Sequence, residues 1–388
     1  MQVITIAKKN AIMENFIVSA RKYRPSTFKS VVGQENITST LKNAIRNNQV
    51  AQAFLFCGPR GVGKTTCARI FAKALNCEHL TDDFEPCNTC DSCNAFNNSA
   101  SFNVFELDAA SNNSVEGIRE LVDQVRIPPQ GAKYKVYIID EVHMLSGAAF
   151  NAFLKTLEEP PAYAKFILAT TEKHKILPTI LSRCQVYDFK RINDNDIVRH
   201  LQYVAQQEGV TAEEDALRVV AAKADGALRD ALSIFDQLVS FSGKNITYKE
   251  TIQNLNVLDV DNYFQVMDMV LSEDVSGALL LLDDILAKGF DAQNFISGFA
   301  THIRNLLLAQ NPGTVQLLQM SDAIKQKLQV QSQKADRMLL TRALELANQC
   351  DFNYKMSNNK RLSVELCMMQ INANYVYMRH RARQSQER

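Results

Sequence analysis

The most informative chemistry in this chain lies in segment 58–66, which reads GPRGVGKTT. Its glycines allow backbone conformations that a side chain would block, so successive N–H groups can converge on one phosphate. Lys64 supplies a positive charge for the β- and γ-phosphates, and Thr65 supplies a hydroxyl ligand for Mg²⁺. The apolar run Ala53–Phe56 precedes the segment, as expected of a loop that joins a strand to a helix. We therefore predict that a nucleoside triphosphate is bound by Gly58, Pro59, Arg60, Gly61, Val62, Gly63, Lys64, Thr65 and Thr66.

Two adjacent carboxylates, Asp140 and Glu141, follow the apolar run Val136–Ile139. At the carboxyl edge of a parallel sheet, Asp140 can hold the metal ion through water, and Glu141 can polarise the attacking water. Thr170 and Thr171 end the next apolar run. Hydroxyls at that position can sense the γ-phosphate or orient water, or they can be ordinary strand-end groups. Together with segment 58–66, called the phosphate loop below, the two carboxylates predict a site for nucleotide hydrolysis.

Four of the nine cysteines, Cys77, Cys87, Cys90 and Cys93, have the spacing C-x9-C-x2-C-x2-C. Four thiolates at short spacing suit tetrahedral Zn²⁺, and a site filled by four cysteines leaves no open position, so the metal would be structural. An iron–sulfur cluster also uses four cysteines and is the alternative. Disulfides are not expected, because the chain shows no signal-peptide core and is expected to stay in the reducing cytoplasm.

The elements that must position these residues can be read from the order of the apolar runs. Short β-rich runs alternate with helix-like segments in the first half, which predicts an α/β fold, a parallel sheet with helices on both faces. Eight of the nine prolines precede residue 179, and after the last predicted strand the pattern changes to helices rich in Leu, Ala, Gln and Asp. The predicted strands are 53–56, 103–107, 135–140, 165–170 and 185–189. The predicted helices include 115–125, 148–158, 194–209, 212–224 and 227–240.

Composition places the chain among ordinary soluble proteins, with 46% hydrophobic and 22% charged residues. Its net charge of +1 means that contact with nucleic acid would need a local basic patch. No apolar stretch approaches the ~20 residues that span a bilayer, so no membrane partner is expected. The expected domains are a disordered N-terminal extension (1–15), a nucleotide-binding domain (16–193) with a zinc module (77–93), a helical lid (194–254), an all-helical collar (255–378), and a charged tail or the start of a linker (379–388).

An ordered set of motifs resembles one class of ATPase. GPRGVGKTT, DEVHML, LATTE, LSRC and GALRDAL are similar to the motifs of AAA+ ATPases of the clamp-loader type. With ARKYRP, VVGQ, LKTLEEPP and the four-cysteine insertion added, the chain resembles the gamma/tau subunits of the bacterial DNA polymerase III clamp loader. The resemblance is strong over residues 16–250 and weaker in the helical C-terminal third.

The resemblance implies how the nucleotide is bound. Lys64 and Thr65 would hold phosphate and Mg²⁺, with Asp140 on the metal and Glu141 on the water. The residues near the adenine would be Arg21, Tyr23, Arg24, Pro25 and Val32.

It also implies three residues that respond to the γ-phosphate. Thr171 would be the first sensor, and Arg229 would be the second, reaching from the lid of the same subunit. Arg183 would act in trans, as an arginine finger on ATP bound by a neighbouring subunit. Because such a cation stabilises the transition state only in an assembled ring, assembly and hydrolysis would be coupled.

The function implied by the resemblance is that of an ATP-driven subunit that opens a sliding clamp and places it on primer–template DNA. Its partners would be delta, delta prime and further copies of itself in a pentameric ring, the clamp, the DNA, and polymerase and helicase if a C-terminal tail exists. It would work in the replisome, at the nucleoid. Lys155 is a candidate DNA contact, since Asn112–Ser114 carries no basic residue. The alternatives are a nucleotide-binding scaffold without turnover, another AAA+ remodeller such as a helicase loader, and a small-molecule P-loop kinase.

Overall fold

The computed structural model describes residues 17–111, 113, 115–318 and 320–386, with the side chains of all of these except 378 and 380–386. The expected N-terminal extension, Asn112 and Ser114 therefore lie outside the described residues. The chain divides into two compact units, residues 17–210 with 220–240, and residues 211–219 with 241–386. No helix among the described residues combines the length and apolar character that crossing a membrane requires.

A five-stranded sheet forms the centre of the first unit. Its strands are β1 (Ala53–Cys57), β2 (Val104–Asp108), β3 (Lys135–Asp140), β4 (Ala164–Thr170) and β5 (Gln185–Asp188). Their order is β2-β3-β4-β1-β5, and every neighbouring pair is parallel, which confirms the predicted parallel sheet. Cys57 pairs with Thr170, and Asp108 pairs with Asp140, so the carboxyl ends of four strands lie at one edge.

Alternate residues of the central strands pack into two separate apolar clusters. Phe54, Ile138 and Ile167 belong to a cluster that includes the helix after the phosphate loop. Leu55 and Ile139 belong to a cluster on the other face, with side chains from the helices at 115–125 and 147–158. Because side chains alternate along a strand, the two clusters confirm that helices cover both faces of the sheet.

Ten helices are described between residue 19 and residue 242. They are α1 (Ser19–Lys22), α2 (Glu35–Arg46), α3 (Lys64–Leu75), α4 (Asp91–Asn97), α5 (Val115–Val125), α6 (Gly147–Glu158), α7 (Pro178–Leu181), α8 (Asp194–Glu208), α9 (Glu214–Ala224) and α10 (Leu228–Ser242). Short 3₁₀ turns lie at Phe28–Ser30, Val142–Met144 and Lys173–Lys175. The division between the two units passes through α9, whose last residues belong to the first unit.

The second unit is built around long helices, α11 (Tyr248–Asn254), α12 (Val260–Leu271), α13 (Val275–Ala287), α14 (Ala292–Ala309), α15 (Asp322–Ser332), α16 (Arg337–Tyr354) and α17 (Lys360–Gln386). One apolar cluster draws on α12 to α17 and includes Phe295, Phe299 and Leu340. Two short parallel strands, β6 (Thr211–Ala212) and β7 (Asn245–Ile246), interrupt a region predicted to contain helices only. Helix α17 continues to Gln386, past residue 378, where the folded body was expected to end.

Candidate nucleotide site and four-cysteine centre

The phosphate loop follows β1 and leads into α3, as the sequence predicts. Gly58 has φ +146°, and a Cβ placed there would collide with the backbone oxygen of Phe189. Gly61 has φ +77°, and a Cβ there would lie 2.9 Å from the Cβ of Ala227. Both positions therefore require glycine, for the backbone conformation and for the close approach of neighbouring segments.

Lys64 begins α3 and is buried, with 5% of its surface exposed. Its Nζ donates hydrogen bonds to the carbonyl oxygens of Gly58 at 2.8 Å and Pro59 at 2.7 Å. Burial lowers the pKa of Lys64, and the nearby carboxylates of Glu141 and Asp140 oppose that shift. The loop thus holds a cation beside its own turn, at the N-terminus of a helix, where an anion is favoured.

The two predicted metal ligands meet directly. Thr65 Oγ1 donates a hydrogen bond to Asp140 Oδ2 at 2.5 Å, which brings the start of α3 to the end of β3. A hydroxyl and a carboxylate oxygen this close are the hard ligands that Mg²⁺ accepts. Their donor chemistry therefore fits the ion that the sequence implied.

Glu141 lies next to this pair in a left-handed backbone conformation, with φ +46°. Its Oε2 accepts hydrogen bonds from the backbone N–H of Thr171 at 3.3 Å and from the hydroxyl of Thr171 at 3.0 Å. A left-handed conformation is uncommon for a residue other than glycine and occurs often at functional sites. The structure thus joins the predicted water-polarising carboxylate to the predicted sensor.

His143 is a neighbour of this carboxylate that sequence reasoning missed. Its side chain is 5% exposed, and its Nδ1 lies 3.0 Å from Thr170 Oγ1 and 3.5 Å from Glu141 Oε2. Its Nε2 lies 3.4 Å from Glu172 Oε1. The only sequence signal was its place two residues after Glu141 in DEVHML. The imidazole links the ends of β3 and β4 behind the phosphate site.

A cleft of about 350 Å³ lies over the phosphate loop, within the usual size range of ligand pockets. Its polar lining includes Lys64, Thr65 and Asp140. Its apolar lining, called the apolar or base end below, includes Ala20, Val31, Val32 and Ile192, which suit a planar base. The predicted residues that line the cleft are Tyr23, Arg24, Pro25, Val32, Arg60, Gly61, Val62, Gly63, Lys64, Thr65, Thr66, Asp140, Glu141 and Arg229.

Other predicted residues lie outside this lining. Gly58 and Pro59 instead accept the hydrogen bonds of Lys64, and Thr171 binds Glu141. Arg21 is part of α1, which borders the apolar end. The lining residues that sequence reasoning missed are Ala20, Val31, Asp108, Ile192, Leu228 and Leu232.

Two acidic residues anchor the N-terminal segment beside the cleft. Asp236 on α10 accepts hydrogen bonds from the N–H and the hydroxyl of Ser19, the first at 2.7 Å. Glu208 on α8 accepts from Lys22 at 2.7 Å and from Tyr23 at 2.5 Å. These contacts hold the predicted adenine-side segment against the helices that follow the sheet.

Arg24 belongs to this segment and lines the cleft. Burial, together with the charge of Arg69, lowers the pKa of Arg24. A guanidinium in that environment gains from a negative charge placed in the cleft. Arg229 lines the same cleft, and its backbone N–H donates to the carbonyl of Gly61 at 3.3 Å.

Arg183 follows α7 and does not line the cleft. Its Nη2 lies 2.8 Å from Glu158 Oε1, and its Nη1 donates to the carbonyl of Thr179 at 2.6 Å. Its side chain is 34% exposed. This position is compatible with a role on a neighbouring subunit, which is the role that the resemblance implied.

The four clustered cysteines come together in space. Their sulfur atoms all lie within 4.8 Å of one another. The N–H groups of Thr89 and Cys90 donate to Cys87 Sγ at 3.5 and 3.3 Å, and they lower the pKa of Cys87 to about 5. A single ion with Zn–S bonds of ~2.3 Å needs sulfur atoms about 3.8 Å apart. The donor set and its spacing therefore fit one tetrahedral ion.

Three family models match successive parts of the chain. The model for the delta subunit of DNA polymerase III matches residues 33–193. The model for the ATPase lid domain of the DNA polymerase III clamp loader subunit matches residues 196–244. The model for domain III of DNA polymerase III subunits gamma and tau matches residues 246–379.

Curated relatives carry the same names. DNA polymerase III subunit tau of Bacillus subtilis is 42% identical over 352 residues, which are 90% of this chain and 62% of that protein. DNA polymerase III subunit gamma of Buchnera aphidicola subsp. Acyrthosiphon pisum is 32% identical over 358 residues, which are 92% of this chain and 99% of that protein. This chain belongs to the DNA polymerase III gamma/tau subunit family.

Members of the gamma/tau family differ in length. The chain spans 62% of the tau subunit of Bacillus subtilis and 36% of the tau/gamma subunit of Haemophilus influenzae. Solved structures of Thermotoga maritima RuvB overlap part of this gamma/tau chain at 18% identity and a TM-score of 0.45, over 64% of this chain and 79% of theirs. An overlap that loose does not bear on function.

The family models divide the predicted site of this gamma/tau chain between two segments. The phosphate loop, both carboxylates and Arg183 fall within the first match, and Arg229 falls within the lid match. The candidate DNA contact, Lys155, lies within the first match on α6 and is exposed.

Proposed function

We propose that this chain is the ATP-hydrolysing subunit of a bacterial clamp loader, which opens a sliding clamp and places it on primer–template DNA during replication. The observation that carries the proposal is the convergence of Lys64, Thr65, Asp140 and Glu141 at one sheet edge, within a chain of the gamma/tau family. Its partners are delta, delta prime and further copies of itself in a pentameric ring, together with the clamp and DNA.

In the proposed mechanism, the N–H groups of the phosphate loop and Lys64 bind the β- and γ-phosphates. Thr65 and Asp140 would hold Mg²⁺, which neutralises phosphate charge when bound. Glu141 accepts a proton from the attacking water, and Thr171 fixes the carboxylate for that step. Arg229 contacts the γ-phosphate within the same subunit. Arg183 reaches the nucleotide of a neighbour and stabilises transition-state charge there.

The four-cysteine centre is proposed to hold a structural Zn²⁺ through Cys77, Cys87, Cys90 and Cys93. The sulfur spacing supports a single ion over an iron–sulfur cluster, in which four cysteines ligate different iron atoms and need a wider cage. Metal analysis of the purified protein should find about one zinc per chain, and a brown protein that contains iron would contradict the assignment.

A steady-state phosphate-release assay with delta, delta prime, clamp and primed DNA tests the function. The complex of the unaltered chain should hydrolyse ATP, and clamp with DNA should stimulate it. Glu141→Gln should lower turnover at least about a hundredfold while nucleotide still binds, because it removes the base. Asp82→Asn, an exposed carboxylate in the cysteine module, is the control and should leave turnover unchanged.

Two results would contradict the proposal. Absence of turnover in the complex of the unaltered chain would favour a nucleotide-binding scaffold. Turnover that clamp and DNA leave unchanged would favour another kind of AAA+ remodeller.

A further inference from the structure

Glu85 belongs to the cysteine module, yet its carboxylate contacts a distant part of the chain. It is 8% exposed, and its two oxygens accept hydrogen bonds from the backbone N–H groups of Phe28 at 2.6 Å and Lys29 at 3.0 Å. Lys42 Nζ lies 3.3 Å from the same carboxylate. A buried carboxylate that receives two backbone donors and one cation is a strongly determined contact.

The turn that Glu85 binds leads directly to the base end of the cleft. Phe28 is 1% exposed, and its carbonyl accepts a hydrogen bond from the N–H of Val31 at 3.2 Å. Val31 and Val32 line the cleft at its apolar end. A short chain of hydrogen bonds therefore runs from Glu85 through Phe28 to the wall of the cleft.

The module is also fixed to the helix that follows the phosphate loop, at the end of that helix away from the cleft. Helix α3 starts at Lys64 and ends at Leu75, two residues before Cys77. Lys73, buried on the same helix, donates to Asn97 at 3.3 Å and also to Asn88. The ring of Phe84, which precedes Glu85, lies 5.0 Å from the guanidinium of Arg46 on α2. The module thus contacts both the helix after the phosphate loop and the turn that leads to Val31 and Val32.

We propose that Glu85 is a positioning residue through which the four-cysteine module holds the base-side wall of the nucleotide cleft. This inference rests on the proposed nucleotide binding. Its consequence should be selective, since the turn at Phe28–Ser30 leads into Val31 and Val32 in the lining of the cleft, whereas the phosphates are bound by Lys64 and the backbone of the loop after β1. Loss of Glu85 should therefore weaken binding of a nucleoside diphosphate and spare binding of its phosphates alone.

Calorimetric titration with ADP and with inorganic pyrophosphate, both with Mg²⁺, separates these effects. Glu85→Ala leaves two backbone donors without an acceptor, so we expect ADP affinity to fall about tenfold and pyrophosphate affinity to change less than about twofold. Glu85→Gln retains one acceptor oxygen and should show an intermediate loss for ADP. Asp82→Asn removes an exposed carboxylate from the same module and should change neither affinity.

A second measurement tests whether the base-side wall of the cleft becomes less protected from hydrogen exchange. Hydrogen exchange of residues 28–32 should speed up in Glu85→Ala, while the zinc content stays that of the unaltered chain. The double variant Cys87→Ser with Cys90→Ser, which removes two sulfur ligands, should show the same selective loss of ADP affinity.

Three results would overturn the inference. The first is ADP affinity that stays unchanged in Glu85→Ala, and the second is an equal loss for ADP and pyrophosphate. The third is a cysteine variant that loses its metal and keeps its ADP affinity. If Glu85→Ala does not fold, Glu85→Gln decides by the same criteria. Failure of the unaltered chain to bind ADP would instead contradict the proposed function.

Discussion

Glu141 is held by two donors from a single residue, because the N–H and the hydroxyl of Thr171 both bind its Oε2 atom. The carboxylate that is proposed to accept a proton from water is thus oriented by the residue that is proposed to sense the γ-phosphate. Any change in the position of Thr171 is transmitted to the base through a hydrogen bond of 3.0 Å.

Thr171→Val removes the hydroxyl and keeps the shape of the side chain. We expect kcat for ATP hydrolysis to fall about tenfold, since one hydrogen bond to a charged group is lost, while ADP affinity stays the same. The measurement is phosphate release by the assembled complex. Thr171→Ser keeps the hydroxyl and should retain most of the rate. Unchanged turnover in Thr171→Val would remove Thr171 from the mechanism.

Arg183 has an anionic partner in its own chain, Glu158, at 2.8 Å. If Arg183 acts on a neighbour's nucleotide, that nucleotide must compete with Glu158. Glu158→Gln should therefore strengthen ATP-dependent assembly about two- to fivefold, as expected when a half-exposed ion pair is lost. The strength of assembly is measured from the dependence of ATP hydrolysis on the concentration of the complex.

The exposed neighbour Glu159 provides the control for this pair, because Glu159→Gln changes the same charge without touching Arg183. Weaker assembly in Glu158→Gln would mean that Glu158 orients the guanidinium and does not compete for it.

At the scale of helices and strands, the five main strands lie within one residue of their predicted bounds, because each is an apolar run bounded by polar residues. Their order in the sheet could not be predicted, since the sequence pattern does not say which strands pair. The strands β6 and β7 have two residues each, too few for any periodicity.

The structure brings two motifs read from the sequence next to each other, the phosphate loop and the acidic strand end. Their proximity could be expected, since parallel strands bring their carboxyl ends to one edge. Contacts between distant segments, such as Glu85 with Phe28 or Glu208 with Tyr23, have no sequence signal. Only the tertiary fold determines which carboxylates make such long-range contacts.

Helices α14 and α15 are joined by a buried polar pair that should respond to pH. His302 is 4% exposed, and its Nε2 lies 2.9 Å from Gln331 Oε1, while Gln331 also donates to Asp268 at 2.9 Å. Burial lowers the pKa of His302 from 6.5 to about 4, partly opposed by Gln331 and Asp268. The unfolded chain therefore binds a proton more readily than the folded one.

The stability from His302 should be present above pH 6.5 and decrease as the pH falls toward 4. Between pH 7 and pH 5 the loss amounts to about 2 kcal/mol. Hydrogen exchange of α14 and α15, corrected for intrinsic rates, measures it. The pH dependence should be smaller in His302→Gln, which keeps a donor toward Gln331. Equal pH dependence of this exchange in the unaltered chain and in His302→Gln would contradict the lowered pKa of His302.

At the scale of the whole molecule, the two units carry different properties. The described residues of the proposed ATPase site all belong to the first unit. The second unit has an exposed apolar stripe along α17, which follows one face of the helix. Its residues are Leu362, Leu366, Met369 and Tyr377, with exposures of 53%, 49%, 40% and 66%. Such a stripe suits contact with other subunits.

Leu366→Glu places a charge in the middle of that stripe. We expect the apparent dissociation constant for self-association to rise at least about tenfold, because an unpaired charge would be buried in the contact. Sedimentation velocity over a concentration series measures it. Gln326→Glu adds the same charge at an exposed position of α15, on a different helix of the same unit, and should have little effect. If the unaltered chain and both variants associate equally, the subunit contact lies elsewhere.

The phosphate loop and the turn before α10 are packed so closely that neither can vary alone. A Cβ at position 61 would lie 2.9 Å from Ala227, and Arg229 donates to the carbonyl of Gly61. A bulkier residue at position 227 would push the segment that carries Arg229 away from the loop, so an engineer who alters either segment must keep this close approach. Among natural sequences, the same crowding should keep glycine at position 61 and a small residue at position 227.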